Sequence, residues 1–432
     1  MTDLNSIPDL IHDFLLTFGS LADWLHGYVF FYPLFMTYLW MIGAIYYFLH
    51  WDQWSQVVSP PEVPVWPFVS IIVPCHNEGL NACEVIEWLD NQNYPDYEII
   101  AVNDGSTDDT GEILDQLLTK HERLRVIHFA ENQGKAMGLR MGAMAARGEY
   151  LVCIDGDSLL GPNATKWLVH PLVTSPRVAA VTGNPRIRNR TTLLARLQVG
   201  EFSTVIGMIK RAQRIYGRIF TVSGVVAAFR KRALHEVGYW STDMITEDID
   251  ISWKLQTNFW DVRYEPNALC WILMPETFRG LWRQRLRWAQ GGNEVLIKYW
   301  RELLNWKRRR MWPVFFEYFC SVTWAYSMTL VLCLYLVGLF VELPLQWRVE
   351  TLLPGFTGLL LGMTCLLQIT LGAMLDSRYE KGMFKNLYWM IWYPLGFWLI
   401  NMFTAIAGLF KAIFRKRGKR AIWKSPDRGV GA

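Results

Sequence analysis

The fold of this chain is decided by Tyr150–Asp157, Tyr-Leu-Val-Cys-Ile-Asp-Gly-Asp. Five apolar or aromatic residues run straight into two carboxylates. A short apolar run of this length reads as a strand buried on both faces. Asp155 and Asp157 leave its carboxyl end, and Gly156 between them permits a tight turn. In open α/β sheets, ligands bind beyond the carboxyl ends of the strands. Two acidic groups one residue apart suit a hard divalent cation that also takes phosphate oxygens. An isolated Asp-x-Asp is more often a solvated turn, so the flanking sequence has to decide.

Upstream, strands and helices alternate. Phe68–Val73 reads as a strand that stops at Pro74, Asn81–Asn91 as a helix, and Tyr97–Val102 as a second strand ending at Asn103-Asp104-Gly105-Ser106. Asp108–Glu122 is helical in pattern, Leu124–Phe129 is a third strand, and Lys135–Ala146 is a helix. This alternation predicts an α/β, doubly wound, mostly parallel sheet. Pro74–Glu78, Asn103–Asp108 and Asp155–Asp157 then converge on one rim, which is where a nucleotide would bind. Asp104 alone would more often form a turn. Gly134-Lys135 brings a cation to a diphosphate or is merely a helix start beside a surface lysine.

The sheet domain is embedded in apolar sequence. The chain has 432 residues, 52% of them hydrophobic, and 22 Trp. Val29–Phe48, Leu352–Leu375 and Leu387–Phe410 carry no charge, and Val314–Val341 carries only Glu317. Each is long enough to span hydrocarbon. No basic n-region precedes the first and no small-residue cleavage site follows it, so it reads as a span rather than a cleaved signal. The expected division is 1–28 amphipathic, 29–50 a span, 66–292 the sheet domain and 293–312 a basic interfacial segment. Spans follow at 313–341 and 352–375, then a span or re-entrant helix at 387–411 and a basic tail at 412–432.

The net charge is only +4, but no Lys or Arg precedes Lys120, and basic residues crowd into Arg279–Arg310 and Lys411–Arg428. Both stretches flank membrane segments, which favours anionic lipid over nucleic acid as the partner. The seven Cys have no metal-finger or redox spacing and read as reduced, buried small hydrophobes. Ile7–Leu25 holds Asp9, His12, Asp13 and Asp23, which suits an amphipathic surface helix better than a degenerate second span. Trp51–Pro67 reads as a linker. Leu193–Tyr216, with Lys210, Arg211 and Arg214 near its end, lies in the membrane interface or packs on a neighbour. Val178–Asn184 is a strand ending in Thr182-Gly183-Asn184, a sugar-binding rim or an ordinary left-handed turn at Gly183.

In order along the chain, Pro74-Cys75-His76-Asn77-Glu78, Asp104, Asp155/Asp157, Thr246-Glu247-Asp248 and Gln284, Arg287, Trp288 resemble the motifs of processive family 2 glycosyltransferases, of GT-A fold. The likeness covers residues 66–292. Val181–Arg186, Phe220–Gly224, Met244–Ile251, Trp271–Gly292 and Ser425–Gly429 are similar to the bacterial poly-β-1,6-N-acetylglucosamine synthases within that family. Against this subgroup, a clear second span before residue 29 is missing.

The resemblance implies that Pro74, Asn77, Glu78, Asp104 and Lys135 hold the UDP moiety with Asp155, and that Asp157 and Asp155 bind Mg²⁺ or Mn²⁺. It makes Asp248 the catalytic base, with Glu247 beside it. Gln284, Arg287 and Trp288 grip the donor, and Trp288 with Thr182, Gly183 and Asn184 contacts the acceptor. It further implies inverting transfer from UDP-N-acetylglucosamine to a growing β-1,6 exopolysaccharide at the bacterial inner membrane, with export. A small two-span partner and cyclic di-GMP are implied too. Within the same class, cellulose, chitin, hyaluronan or lipid-carrier transferases share these motifs. A non-catalytic nucleotide-sensing scaffold would not need Asp104, Asp155, Asp157 and Asp248 all intact.

The tail poses a conflict. With Trp51–Arg310 inside, three further spans put the carboxyl end outside. The basic residues Lys411–Arg428 place it inside. Pro394 and Asn401 interrupt the last apolar stretch, so that stretch need not cross.

Overall fold

The computed structural model describes residues 13–16, 19–349, 356–380, 382–390, 393–416 and 418–422. Helix α1, Gly19–His50, leads into the sheet domain. The domain alternates β1 (Val69–Cys75), α2 (Gly79–Asp90), β2 (Tyr97–Asn103), α3 (Thr110–Leu118), β3 (Leu124–His128), α4 (Lys135–Ala145) and β4 (Tyr150–Ile154). It continues through β5 (Leu159–Leu160), α5 (Ala164–Thr174), β6 (Val178–Ile187), α6 (Leu193–Glu201), α7 (Lys210–Tyr216) and β7 (Val226–Arg230). Helix α8 (Lys231–Glu236), α9 (Glu247–Thr257), β8 (Asp261–Ile272) and α10 (Phe278–Leu303) complete it. Helices α11 (Trp312–Gly338), α12 (Phe356–Asp376), α13 (Leu387–Met390) and α14 (Tyr393–Phe414) follow.

The eight strands form one sheet in the order β3-β2-β1-β4-β7-β6-β8-β5. Strands β1 to β4 run parallel, while β7 and β5 run against their neighbours, so the sheet is mixed rather than parallel throughout. Apolar layers cover both faces. On one, Ile71, Val73 and Ile99 pack with Val85, Ile86 and Trp167; on the other, Ile72, Ile100 and Val102 pack with Leu139, Ile251 and Leu255. Strands enclosed on both sides need unbroken apolar runs, and Tyr150–Ile154 is buried throughout.

Strand β1 runs through Pro74 rather than stopping before it. Cys75 O accepts from Asp104 N–H on the β2 side. The next-door Pro74 therefore faces β4, whose pairing with β1 has already ended at Ile72–Cys153. No ladder bond is lost to the missing N–H.

Among the described residues, four helical stretches are long and apolar enough to cross a membrane: Gly19–Trp54, Trp306–Gly338, Thr357–Asp376 and Gly396–Phe414. The first begins ten residues before the predicted boundary at 29, so 19–28, Asp23 included, is one helix with the span and not a separate surface helix. A polar residue near a helix end reaches headgroups at little cost. The rest of the predicted amphipathic segment lies largely outside the described residues. Glu317, the charge inside α11, accepts from Trp40 Nε1 (3.1 Å) and Gln213 Nε2 (3.1 Å).

Leu193–Tyr216 is one helical run, with a π-helical stretch at Phe202–Ile209 between α6 and α7. Lys210 and Arg211 are buried in it, at 5% and 0% exposure, so they do not reach headgroups. Arg211 sits in a chain of ion pairs. Its Nε is 2.7 Å from Asp52 and its Nη1 3.1 Å from Asp376; Arg186 reaches the other oxygen of Asp376 at 2.6 Å and Glu380 at 2.9 Å, and Arg190 also binds Glu380. The stretch predicted as a linker thus contributes a buried anion, Asp52.

Helix α14 runs beside α10. Phe397 and Ile400 share an apolar cluster with Leu281, and Gly408 lets the backbones meet at Ala289–Gln290. Met390 of α13 lies against Gly200 of α6, and Arg415 pairs with Glu294 of α10 at 2.7 Å. Both ends of α14 therefore rest on the sheet domain's own helices. None of the seven Cys forms a disulfide; Cys75, Cys153, Cys270 and Cys365 are buried as expected, whereas Cys83 and Cys333 are exposed.

Candidate active site

Strands β1, β2 and β4 are parallel neighbours, so their carboxyl ends deliver three loops to one rim. Asn77 sits in the left-handed region (φ 56°). Its N–H donates to Ser106 Oγ (3.0 Å), and its Oδ1 accepts from Thr107 N–H (2.9 Å). Glu78 N–H donates to Thr110 Oγ1 at 2.7 Å. The strained backbone of Asn77 is held by the second loop, and such sites commonly serve function. Asp104 is fully buried, and its two oxygens accept from Gln133 N–H (2.6 Å) and Gly134 N–H (2.8 Å). Burial raises its pKa although those N–H groups oppose the shift. Gly156 packs against the Glu78 side chain and Pro74 O, so the first and third loops touch.

Lys135, at the start of α4, lies at the centre. Its Nζ is 2.5 Å from Asp155 Oδ1, 3.2 Å from Glu247 Oε1 and 3.2 Å from Gly224 O. Burial works against its charge, but Asp155 and Glu247 outweigh that and hold it firmly protonated. Asp248 accepts from Ile249 N–H (2.9 Å) and Gly224 N–H (3.3 Å). Burial and the Glu247 carboxylate push Asp248 up to about 6, against the pull of Lys135 and Arg287. It is therefore not an ordinary surface carboxylate, and its basicity is better matched to accepting a proton near neutrality. Asp157 is pushed up to about 7, first by burial and then by Asp155.

Thr246 precedes α9 without capping it; its hydroxyl is buried without a hydrogen bond and faces Gly291 of α10. Asp248 Oδ1 meets the first-turn N–H of Ile249 instead. Asp250 points away from the site and is locked to Lys298 (2.5 Å) and Tyr299 Oη (3.0 Å), so it is no alternative base.

The donors suit a divalent ion. Asp155 Oδ1 is buried and makes no directed hydrogen bond despite its proximity to Lys135. Among the described residues no group of three or more His, Cys, Asp or Glu forms a complete cage. One or two carboxylates completed by substrate phosphates and water is the usual Mg²⁺ or Mn²⁺ arrangement. Asp155 and Asp157 are the residues that would hold it.

Helix α10 carries the third predicted group. Gln284 is half-buried beside Met274, and its Oε1 is buried without a hydrogen bond. Arg287 is exposed and acts electrostatically on Asp248. Trp288 packs partly against the sheet's core. Arg285, unassigned from sequence, is buried, pairs with Glu201 at 2.5 Å and lies 4.5 Å over the Trp288 ring. A charged Glu201 within an apolar helix was the signal for such a partner.

The residues predicted for the acceptor lie differently. Strand β6 runs past Asn184 to Ile187, and Gly183 is no left-handed turn; a side chain there would meet Ala268 O at 2.6 Å on β8. Thr182 and Asn184 are buried, so they do not form an open rim. Asn184 donates to Pro266 O at 3.0 Å. Thr182 Oγ1 accepts from Ser223 N–H (2.8 Å) and Lys210 Nζ (3.2 Å), which steadies the Ser223-Gly224 turn touching Asp248. Lys210, read from sequence only as a cation of the interfacial or packing helix, and Ser223, named only within Phe220–Gly224, were not assigned to the site; a lysine within an apolar helical run is the clue.

The family model described as glycosyltransferase-like family 2 matches residues 67–291. The chain belongs to glycosyltransferase family 2. A poly-β-1,6-N-acetyl-D-glucosamine synthase of Staphylococcus epidermidis is 39% identical over 410 residues, covering 93% of this chain and 98% of its own. The synthase of the same name from Staphylococcus aureus strain COL is 37% identical over 405 residues, with the same coverage. Among solved structures, the mannosyltransferase PcManGT from Pyrobaculum calidifontis, in complex with GDP-Man and Mn²⁺, aligns with a TM-score of 0.63 at 21% identity. That alignment covers 92% of this chain and 99% of the mannosyltransferase and shows a shared GT-A-like fold. This glycosyltransferase therefore combines a sugar-nucleotide-dependent catalytic domain with membrane helices.

Proposed function

We propose that the enzyme polymerises N-acetylglucosamine from UDP-N-acetylglucosamine into a β-1,6-linked exopolysaccharide at the bacterial cytoplasmic membrane. The observation that carries the reading is Asp248, fixed by two backbone N–H groups beside the Lys135–Asp155 pair. The acceptor's primary hydroxyl attacks carbon 1 of the donor while Asp248 takes its proton. The bond from carbon 1 to the diphosphate oxygen breaks, UDP leaves with the bonding pair, and the α-linkage becomes β. The hydroxyl is too weak an acid to ionise first, so proton transfer accompanies attack. Lys135 and Arg287 supply positive charge toward the departing diphosphate, and Glu247 keeps Lys135 in place. Asp155 and Asp157 would hold Mg²⁺ or Mn²⁺, which neutralises leaving-group charge when bound. Asp104, Asn77, Glu78 and the Pro74 backbone cradle the uridine; Gln284 and Trp288 border the transferred and accepting sugars.

The test is transfer by the purified chain with each UDP-sugar in turn, followed by linkage analysis. A β-1,6 product from UDP-N-acetylglucosamine alone is expected. A product of another sugar or linkage would move the chain to the cellulose, chitin or hyaluronan type. By the same resemblance, a small two-span membrane partner and cyclic di-GMP raise activity, and the isolated chain is poorly active.

The membrane arrangement has three crossings, α1, α11 and α12, with α14 lying along α10 at the interface and the tail on the catalytic side. The Arg415–Glu294 pair supports it, and it agrees with the basic tail being inside. A single Cys replacing Lys419 should react only with reagents reaching the cytoplasmic face.

A further inference from the structure

The segment after α14 does not trail away from the domain. Arg415 pairs with Glu294, which also accepts from Ile245 N–H in the loop before α9. Ala421 N–H donates to Thr242 O at 2.9 Å, in that same loop. Arg420 donates to Gln133 Oε1, and its charge acts on Asp104. Gly134 adopts φ +89°, and a side chain there would collide with Ala421 O, so the segment lies directly on the backbone that binds Asp104. The tail thus spans two loops, one leading to Lys135 and the other to Asp248.

We propose that Gly418–Ile422 forms part of the donor site and that Arg420 is a donor-binding residue, its guanidinium reaching from the Gln133–Gly134 backbone, beside the uridine end, to the diphosphate of the nucleotide sugar on the Lys135 side. The proposal rests on the nucleotide-sugar reading above. Three features favour it. Arg420 is exposed, and its side chain donates to a neutral amide, Gln133, rather than to a carboxylate. Lys135, the next residue after the Gln133–Gly134 backbone, is already engaged by Asp155 and Glu247, so a guanidinium beside that loop adds positive charge where a dianionic ligand would lie. A guanidinium is the side chain best shaped for phosphate oxygens.

The experiment uses the full chain in lipid nanodiscs with Mn²⁺, and measures UDP and uridine binding together with donor KM and kcat. Arg420→Ala should raise KM for UDP-N-acetylglucosamine and Kd for UDP by roughly 10- to 100-fold, the usual range for losing a hydrogen bond to a charged group. It should leave kcat and uridine binding unchanged, and Arg420→Lys should restore part of the loss. Gly134→Ala, which pushes the segment off the rim, should act in the same direction. Tighter UDP binding by Arg420→Ala would show that the tail competes with the donor and would overturn the proposal. Equal weakening for uridine and UDP would overturn it as well, because the role would then be structural. If the unaltered chain binds UDP and Arg420→Ala binds it equally, only the tail assignment falls. If the unaltered chain binds no UDP-sugar, the nucleotide-sugar reading falls with it.

Discussion

Two clusters of buried charge lie in this glycosyltransferase, and they are composed differently. At the membrane end, Asp52, Asp376 and Glu380 face Arg186, Arg190 and Arg211, each acid bridged by a guanidinium. At the sheet's carboxyl edge, Asp155, Asp157, Glu247 and Asp248 gather around the Lys135 ammonium, with the exposed Arg287 acting on Asp248 from outside. The first cluster is charge-balanced within the protein. The second is not, and burial pushes two of its carboxylates toward neutrality. A balanced buried network holds elements together; an under-compensated one is completed by a ligand that brings cations. The contrast separates architecture from chemistry without reference to any relative.

The largest expected effect tests the unbalanced cluster. Asp248→Asn should lower polymer synthesis by about 10²–10⁴-fold, the usual worth of a general base. UDP binding and membrane insertion should persist, as read by nucleotide titration and membrane fractionation. Near-normal synthesis would remove Asp248 from the base role. Next, Arg211→Met tests the balanced cluster. It strands Asp52 and leaves Asp376 with Arg186 alone, and breaking a buried pair costs about 3–5 kcal/mol. A lowered melting temperature and yield are expected, while kcat per folded molecule stays unchanged. A loss of kcat without loss of stability would erase the distinction between the clusters.

Asp157→Ala sharpens it further. Mn²⁺ binding by electron paramagnetic resonance should weaken, and activity should fall by about 100-fold, since a metal supplies several kcal/mol of charge stabilisation. Excess chelator should abolish activity of the unaltered enzyme to a similar degree. Undiminished transfer in chelator would falsify the metal assignment. Glu247→Gln should be mildest, with kcat down about 10-fold, because Lys135 loses one charged partner and keeps Asp155.

The unbalanced cluster was legible in the sequence because each member ends a strand or starts a helix with a recognisable pattern. Asp155 and Asp157 follow an apolar run, and Glu247 and Asp248 open α9. The three-loop rim followed from parallel strands alone. The balanced cluster was not legible. Asp52 lies in a stretch without periodicity, and its partner Arg211 lies 159 residues away. No local pattern encodes such a pairing. For the same reason the sequence left Lys210 and Arg211 between the membrane interface and packing on a neighbour: helical spacing gives their face but not what covers it. Thr182-Gly183-Asn184 misled for another reason. Turn-forming residues inside a strand look like its end unless the close approach of β8 is known.

Arg211 also sets an order of events during biosynthesis. Asp52 is already made when Arg211 is translated, but Asp376 follows 165 residues later. At a bacterial or eukaryotic elongation rate of about 5–20 residues per second, that delay is roughly 8–33 s. Through this interval the guanidinium has one of its two carboxylates. The ion-pair network is therefore complete only once α12 has been made, so a nascent chain stalled or truncated before Asp376 carries an incompletely neutralised arginine.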